Sequence, residues 1–295
     1  MNLYGHVKSL REIQYEVINE KISMNSRRHL YYIFDENGKK VEESMYNADG
    51  SLFSKYTYTY NEAGILLEFN NFNADGSLVS KNLGKLDDKG HIIEWNWYLS
   101  NGSIHSKFNY KYDDKGNKIE DNEYAADGKL YQKIKYKYDL QGKKVQENGF
   151  RSLRYKITFK YNDEGKIMER DYNKKNGKLI YKLTYKYDSN GNWVEVKSYD
   201  KKGELQTINK NEYDSNGNLI EEKVFDFEGK IMSHHTFKYD DNNNELEYNI
   251  YNSNGIVYTR YSQIYNYDNS GNWIKKVNYK NKVAIYVTER EIIYF

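Results

Sequence analysis

A tight turn recurs along this 295-residue chain with a usual spacing of 26, and no other feature constrains the fold as strongly. One class of turn falls at Gly38, Gly64, Gly90, Gly116, Gly142, Gly165, Gly191, Gly217, Asn243 and Gly271. A second falls 12 residues after the first, at Gly50, Gly76, Gly102, Gly128, Gly177, Gly203, Gly229 and Gly255. Asp or Asn usually opens the turn and Gly closes it, as in Asp113-Asp114-Lys115-Gly116, which suits a type I turn followed by a glycine bulge. Between turns, apolar and polar residues alternate with the period of a strand. The chain therefore reads as all-β, a long antiparallel meander of about ten 26-residue double-strand repeats. Open twisted sheets rarely exceed ~10 strands without curling or splitting. One continuous coiled sheet, spiral or solenoid-like, is the expectation.

The whole chain, 1–295, forms a single repeat domain in this reading. An N-terminal capping hairpin occupies 1–34, the repeats 35–282, and a C-terminal capping strand 283–295. Two irregularities support the pattern. Between Gly142 and Gly165 the second glycine turn is replaced by Phe150-Arg151-Ser152-Leu153, where a two-residue turn shortens the unit by three and keeps Phe150 and Leu153 on one face. Asn243 stands where a glycine is usual, and Asn is the other residue that tolerates left-handed backbone.

Turn geometry also predicts register. The residue four before each glycine should oppose the residue two after it, so that Tyr112 faces Lys118, Tyr110 faces Glu120 and Tyr124 faces Leu130. Two faces follow. An aromatic face carries Ile134, Tyr136 and Tyr138 with Glu120, Asn122 and Tyr124, and turns inward because it has more apolar area to bury. A lysine-rich face carries Lys133, Lys135 and Lys137, with an aliphatic residue three after the glycine (Val41, Leu67, Ile93, Ile119). The glutamates four after the glycine are expected to accept hydrogen bonds from tyrosine hydroxyls.

Composition excludes several classes. Cysteine and proline are absent, so no disulfide or thiolate metal site forms. The +2 formal charge supplies no single-sign field, which disfavours nucleic acid. No run approaches the roughly 18 apolar residues of a membrane-spanning helix, so a soluble chain without membrane insertion is expected. Residues 1–8 lack a signal peptide's apolar core, which leaves a cytoplasmic protein or one whose leader is absent from this chain.

The unit Tyr-x-Tyr-Asp-x-x-Gly-Asn, at Tyr110–Asn117, Tyr185–Asn192 and Tyr265–Asn272, resembles the YD repeats of bacterial RHS proteins over about Tyr32 to Tyr279. The resemblance implies hairpins arrayed into a spiralling shell, on a surface or secreted protein. A lesser similarity links Tyr31–Gly38 to the aromatic hairpin repeats of cell-wall-binding modules, which implies choline or glycan binding between aromatic side chains.

Nothing in the chain calls for catalysis or a cofactor. The histidines, His6, His29, His91, His105, His234 and His235, share no ligand spacing. The Asp-x-x-Gly turns lack the dense oxygen ligands of a calcium loop. The recurring glutamates do not isolate two carboxylates in one place, as glycoside hydrolysis needs. Two readings remain: a binding module for a glycan or protein, and a structural array acting as spacer or shell. The third unit favours the first. There the lysine-rich face is expected to carry Trp95 and Trp97, with Trp97 between Lys81 and His105, Phe69 beyond Lys81, and Trp95 beside Lys107. Such a patch stacks a sugar or anchors a partner unless the coil folds back over it.

Overall fold

The computed structural model describes residues 3–150 and 154–295. The described residues form twenty-two β-strands and no helix, from β1 (Val7–Ile18) and β2 (Lys21–Phe34) to β21 (Trp273–Lys280) and β22 (Val283–Tyr294). Each strand pairs antiparallel with the next, and β1 also pairs with β22, from Val7 opposite Tyr294 to Glu16 opposite Tyr286. The sheet is therefore a closed barrel, and the expected open coil is incorrect. An even strand number lets first and last strands meet antiparallel, and closure leaves no edge unpaired. The hairpin and strand read as caps are joined to one another, with the Phe295 amide donating to the His6 carbonyl at 2.9 Å. Their own turns are two-residue and left-handed at both positions, Asn19-Glu20 and Asn281-Lys282, as a type I′ hairpin requires. The Phe150–Leu153 turn lies mostly outside the described residues.

The glycine turns form as the residue types dictate. The Gly116 amide donates to the Asp113 carbonyl at 3.0 Å, and the Asp113 carboxylate accepts the amides of Lys115 and Asn117. Asn243 takes φ 61° in the glycine's place. A further bulge follows each turn. Tyr112 opposes Lys118 as expected, but Lys111 then opposes Glu120 and Tyr110 opposes Asp121, so Ile119 is the extra residue. The same position holds Val41, Leu67, Ile93, Val145, Val194 and Ile220. One extra residue exchanges the faces of everything beyond it. Tyr110, Asp121, Ile134 and Tyr136 thus share a tyrosine face, while Glu120, Asn122 and Tyr124 move to the lysine face.

Tilt follows from register. Tyr110 faces Asp121, which faces Ile134, two residues short of Tyr136, the equivalent of Tyr110 one unit on. A slip of one residue per strand corresponds to a tilt of about 35° and, for a circular section, a ring roughly 40 Å across. The accessible surface is 18284 Å², against about 13,000 Å² for a compact monomer of this mass. The excess is that of a single layer wetted on both faces. Deep burial of apolar side chains is correspondingly sparse, and its main cluster, Leu10, Leu30 and Tyr32 with Leu3, Phe34, Met45 and Ile292 around them, lies at the closing seam.

Candidate functional site

The predicted patch sits on β5 (Leu66–Asn73), β6 (Leu78–Leu86), β7 (Ile92–Leu99) and β8 (Ile104–Tyr112). The bulge redistributes its members. Trp97 lies between Asn82 and Ser106, and Trp95 between Gly84 and Phe108, so both indoles stand on the tyrosine face. Lys81 and Lys107 stand on the opposite face, where they pair with Glu68 at 2.9 Å and Glu94 at 2.6 Å. The mixed aromatic and cationic rows expected from the uncorrected register are not formed. Lys107 instead lines a shallow cleft of about 230 Å³ with Ile104, Asn109 and Tyr124.

Trp97 and His105 do come together. His105 is the extra residue of the bulge between the Tyr98–Ile104 and Trp97–Ser106 pairs, and its ring stacks on Trp97 with centroids 4.0 Å apart. Trp97 remains 36% exposed. Across Asn82 from it lies Phe69, itself against Tyr56 and Tyr58 at 5.6 and 5.3 Å. Two aromatic groups therefore flank one carboxamide, two strands and roughly 10 Å apart.

Trp95 has a different role. In the next unit the pair equivalent to Gly84 and Trp95 is Tyr110 and Asp121. A Cβ on Gly84 would lie 2.6 Å from the indole, so Trp95 fills the space that a tyrosine fills elsewhere. Trp95 is packing against Gly84, and Trp97 is the more exposed of the two indoles.

The glutamates also behave differently from expectation. They bind cations and carboxamides of the lysine face, not tyrosine hydroxyls. Glu120 meets Lys133 at 2.9 Å and Lys111 at 3.5 Å and accepts from the Asn122 amide at 2.8 Å. Burial opposes ionisation of Glu120, but Asn122, Lys133 and Lys111 outweigh it and hold the carboxyl at about 2. Glu169 and Glu195 are bracketed by lysines in the same way, and their carboxyls are also lowered. Among the described residues, no three His, Asp or Glu side chains converge as a metal would need.

A second site was not anticipated. At the seam end of the tyrosine face, Tyr4, Asn242, Asn243, Asn244, Trp273 and Arg290 line a cleft of about 290 Å³. The signal for it in the sequence is the coincidence of Asn243 with an interval of 28, not 26, to Gly271. The added length is carried by β20 (Val257–Tyr267), 11 residues long.

No protein-family description matches the chain, and no curated protein does. Among solved structures, a crystal structure of TcdB2-TccC3 aligns at 12% identity and TM-score 0.46, over 95% of this chain and 19% of that one. The Photorhabdus luminescens Tc holotoxin pore aligns at 13% and 0.46, over 88% and 16%. A porin-like protein from Bacteroides uniformis aligns at 12% and 0.31, over 99% of each chain. The chain spans less than a fifth of the Tc toxin chains, and likenesses at these scores carry no assignment of family or function.

Proposed function

We propose that this chain is a non-catalytic interaction module, a hollow water-filled barrel that binds a glycan on its tyrosine face at Phe69, Asn82, Trp97 and His105. The exposed Trp97–His105 stack carries the reading. Flat apolar rings separated by an amide match a sugar chain, whose C–H faces stack on aromatics while its hydroxyls donate and accept. The YD-like units support, within this proposal, a surface or secreted protein of bacteria. Both faces argue against insertion in a membrane. One carries the lysine–glutamate pairs at mid-strand, and the other carries Asp121, Glu147 and Arg170 among its tyrosines. A lysine or arginine facing lipid at the midplane costs about 2–4 kcal/mol, and neither face offers an uninterrupted apolar band.

The alternative, a purely structural shell, is favoured by the uniformity of the other units. A screen of soluble polysaccharides by affinity electrophoresis decides between them. Binding by the intact chain that Trp97→Ala abolishes at unchanged melting temperature supports the glycan reading. No binding, or binding that Trp97→Ala leaves intact, overturns the assignment to this row. If a protein ligand is captured through Trp97 instead, the site stands and the glycan does not.

A further inference from the structure

The cleft at the seam is where three departures from the repeat meet: Asn243 in place of glycine, the lengthened β20, and the N-terminal segment laid across the rim. Tyr4 is pinned there twice, its amide donating to the Asn272 carboxamide oxygen at 2.7 Å and its carbonyl accepting from the Asn272 nitrogen at 2.8 Å. Its ring lies over Gly271, where an added Cβ would approach it to 3.8 Å. Arg290 is nearly buried and held on two sides, by Glu12 at 2.9 Å and by the Trp273 ring, 3.3 Å from the guanidinium carbon. Asn244 donates to the Tyr267 hydroxyl at 2.9 Å, and Tyr267 in turn donates to Asp240. The Asn243 oxygen accepts from Asn218 at 2.7 Å, which leaves its nitrogen, among the described residues, for an occupant.

We propose that this cleft binds a neutral sugar of one or two rings. Its volume suits that size, and its lining combines carboxamides, which donate and accept as hydroxyls do, with the Tyr4 ring and a fixed guanidinium. Charge selects against an anionic sugar. Around the cleft stand four carboxylates, Glu12, Glu245, Asp240 and Asp268, against two cations, Arg290 in the lining and Lys276 beside it. Burial raises the Glu245 carboxyl and lowers the Lys276 ammonium beside the cleft. This inference does not depend on the Trp97 row.

Calorimetric titration of the intact chain with methyl glucoside, N-acetylglucosamine, lactose and glucuronate tests it. One or more of the neutral sugars should bind, and glucuronate should bind more weakly or not at all. Asn243→Gly installs the residue that the other first-class turns carry, so folding is retained, and should weaken binding roughly three- to tenfold. Tyr4→Ala should weaken it as well, and Trp97→Ala should leave it unchanged. The proposal is overturned if no neutral sugar binds, if glucuronate binds best, if Asn243→Gly and Tyr4→Ala both bind like the parent, or if Trp97→Ala removes the binding.

Discussion

The Tyr138 hydroxyl donates to the Lys118 carbonyl at 2.7 Å, twenty residues back along the chain. That carbonyl immediately precedes the bulge residue Ile119. The same bond joins Tyr60 to Lys40, Tyr112 to Ile92, Tyr187 to Ile167 and Tyr213 to Trp193. In the unit shortened by three residues, Tyr161 reaches back seventeen, to Lys144. The second tyrosine in these units is thus a strut between neighbouring turns on one rim; in Tyr265–Asp268 the first one, Tyr265, takes that role, reaching the Glu245 carbonyl at 3.0 Å, while Tyr267 donates to Asp240.

Removing one strut gives the first prediction. Tyr138→Phe keeps the ring and should cost about 0.5–1.5 kcal/mol in denaturant unfolding. Tyr258→Phe, at a position 74% exposed, should cost nothing measurable. Equal effects would mean that the strut bond contributes no stability.

The lysine face predicts acid lability. A carboxyl lowered in the folded state stabilises the fold above its ordinary value and loses that contribution as pH falls through the folded value. For Glu120 the window runs from about 4.5 down to about 2, and Glu68, Glu94, Glu169, Glu195 and Glu247 are lowered in the same direction. Glu120→Gln should therefore lower stability by about 1–2 kcal/mol at pH 7, with the difference vanishing toward pH 2. A difference that stays constant from pH 7 to pH 2 would show that ionisation of Glu120 is not involved.

Closure is tested through the termini. His6→Cys combined with Phe295→Cys should form an intramolecular disulfide in a chain that has no other thiol, because these two residues are hydrogen-bonded neighbours. Deleting one 26-residue unit leaves an even strand number and should preserve a closed β-structure by circular dichroism and small-angle scattering. Deleting 13 residues forces an odd number and should not fold, since the last strand would run parallel to the first. Failure of the disulfide to form would leave the seam open in solution.

Much of this molecule is legible in one unit of its sequence. Glycine and Asn mark the left-handed positions, Asp marks the turn openings, and alternation marks the strands, because each depends only on residues a few positions apart. The strand order follows, since every pair but one joins consecutive strands. The contact of Trp97 with His105 was within reach for the same reason. The bulge was not. Placing one extra aliphatic residue such as Ile119 in the strand is a choice made jointly by two strands and the tyrosine strut across them, and it decides which face bears Glu120, Trp95, Lys81 and Lys107. The seam cleft left only a trace, Asn243 and an interval lengthened by two, whose meaning depends on where Tyr4 and Arg290 lie. Closure itself rests on β1 meeting β22 across nearly the whole length of the chain. No local period encodes that encounter; it follows from twenty-two strands each slipping one residue and tilting until the first and last edges satisfy one another's backbone groups.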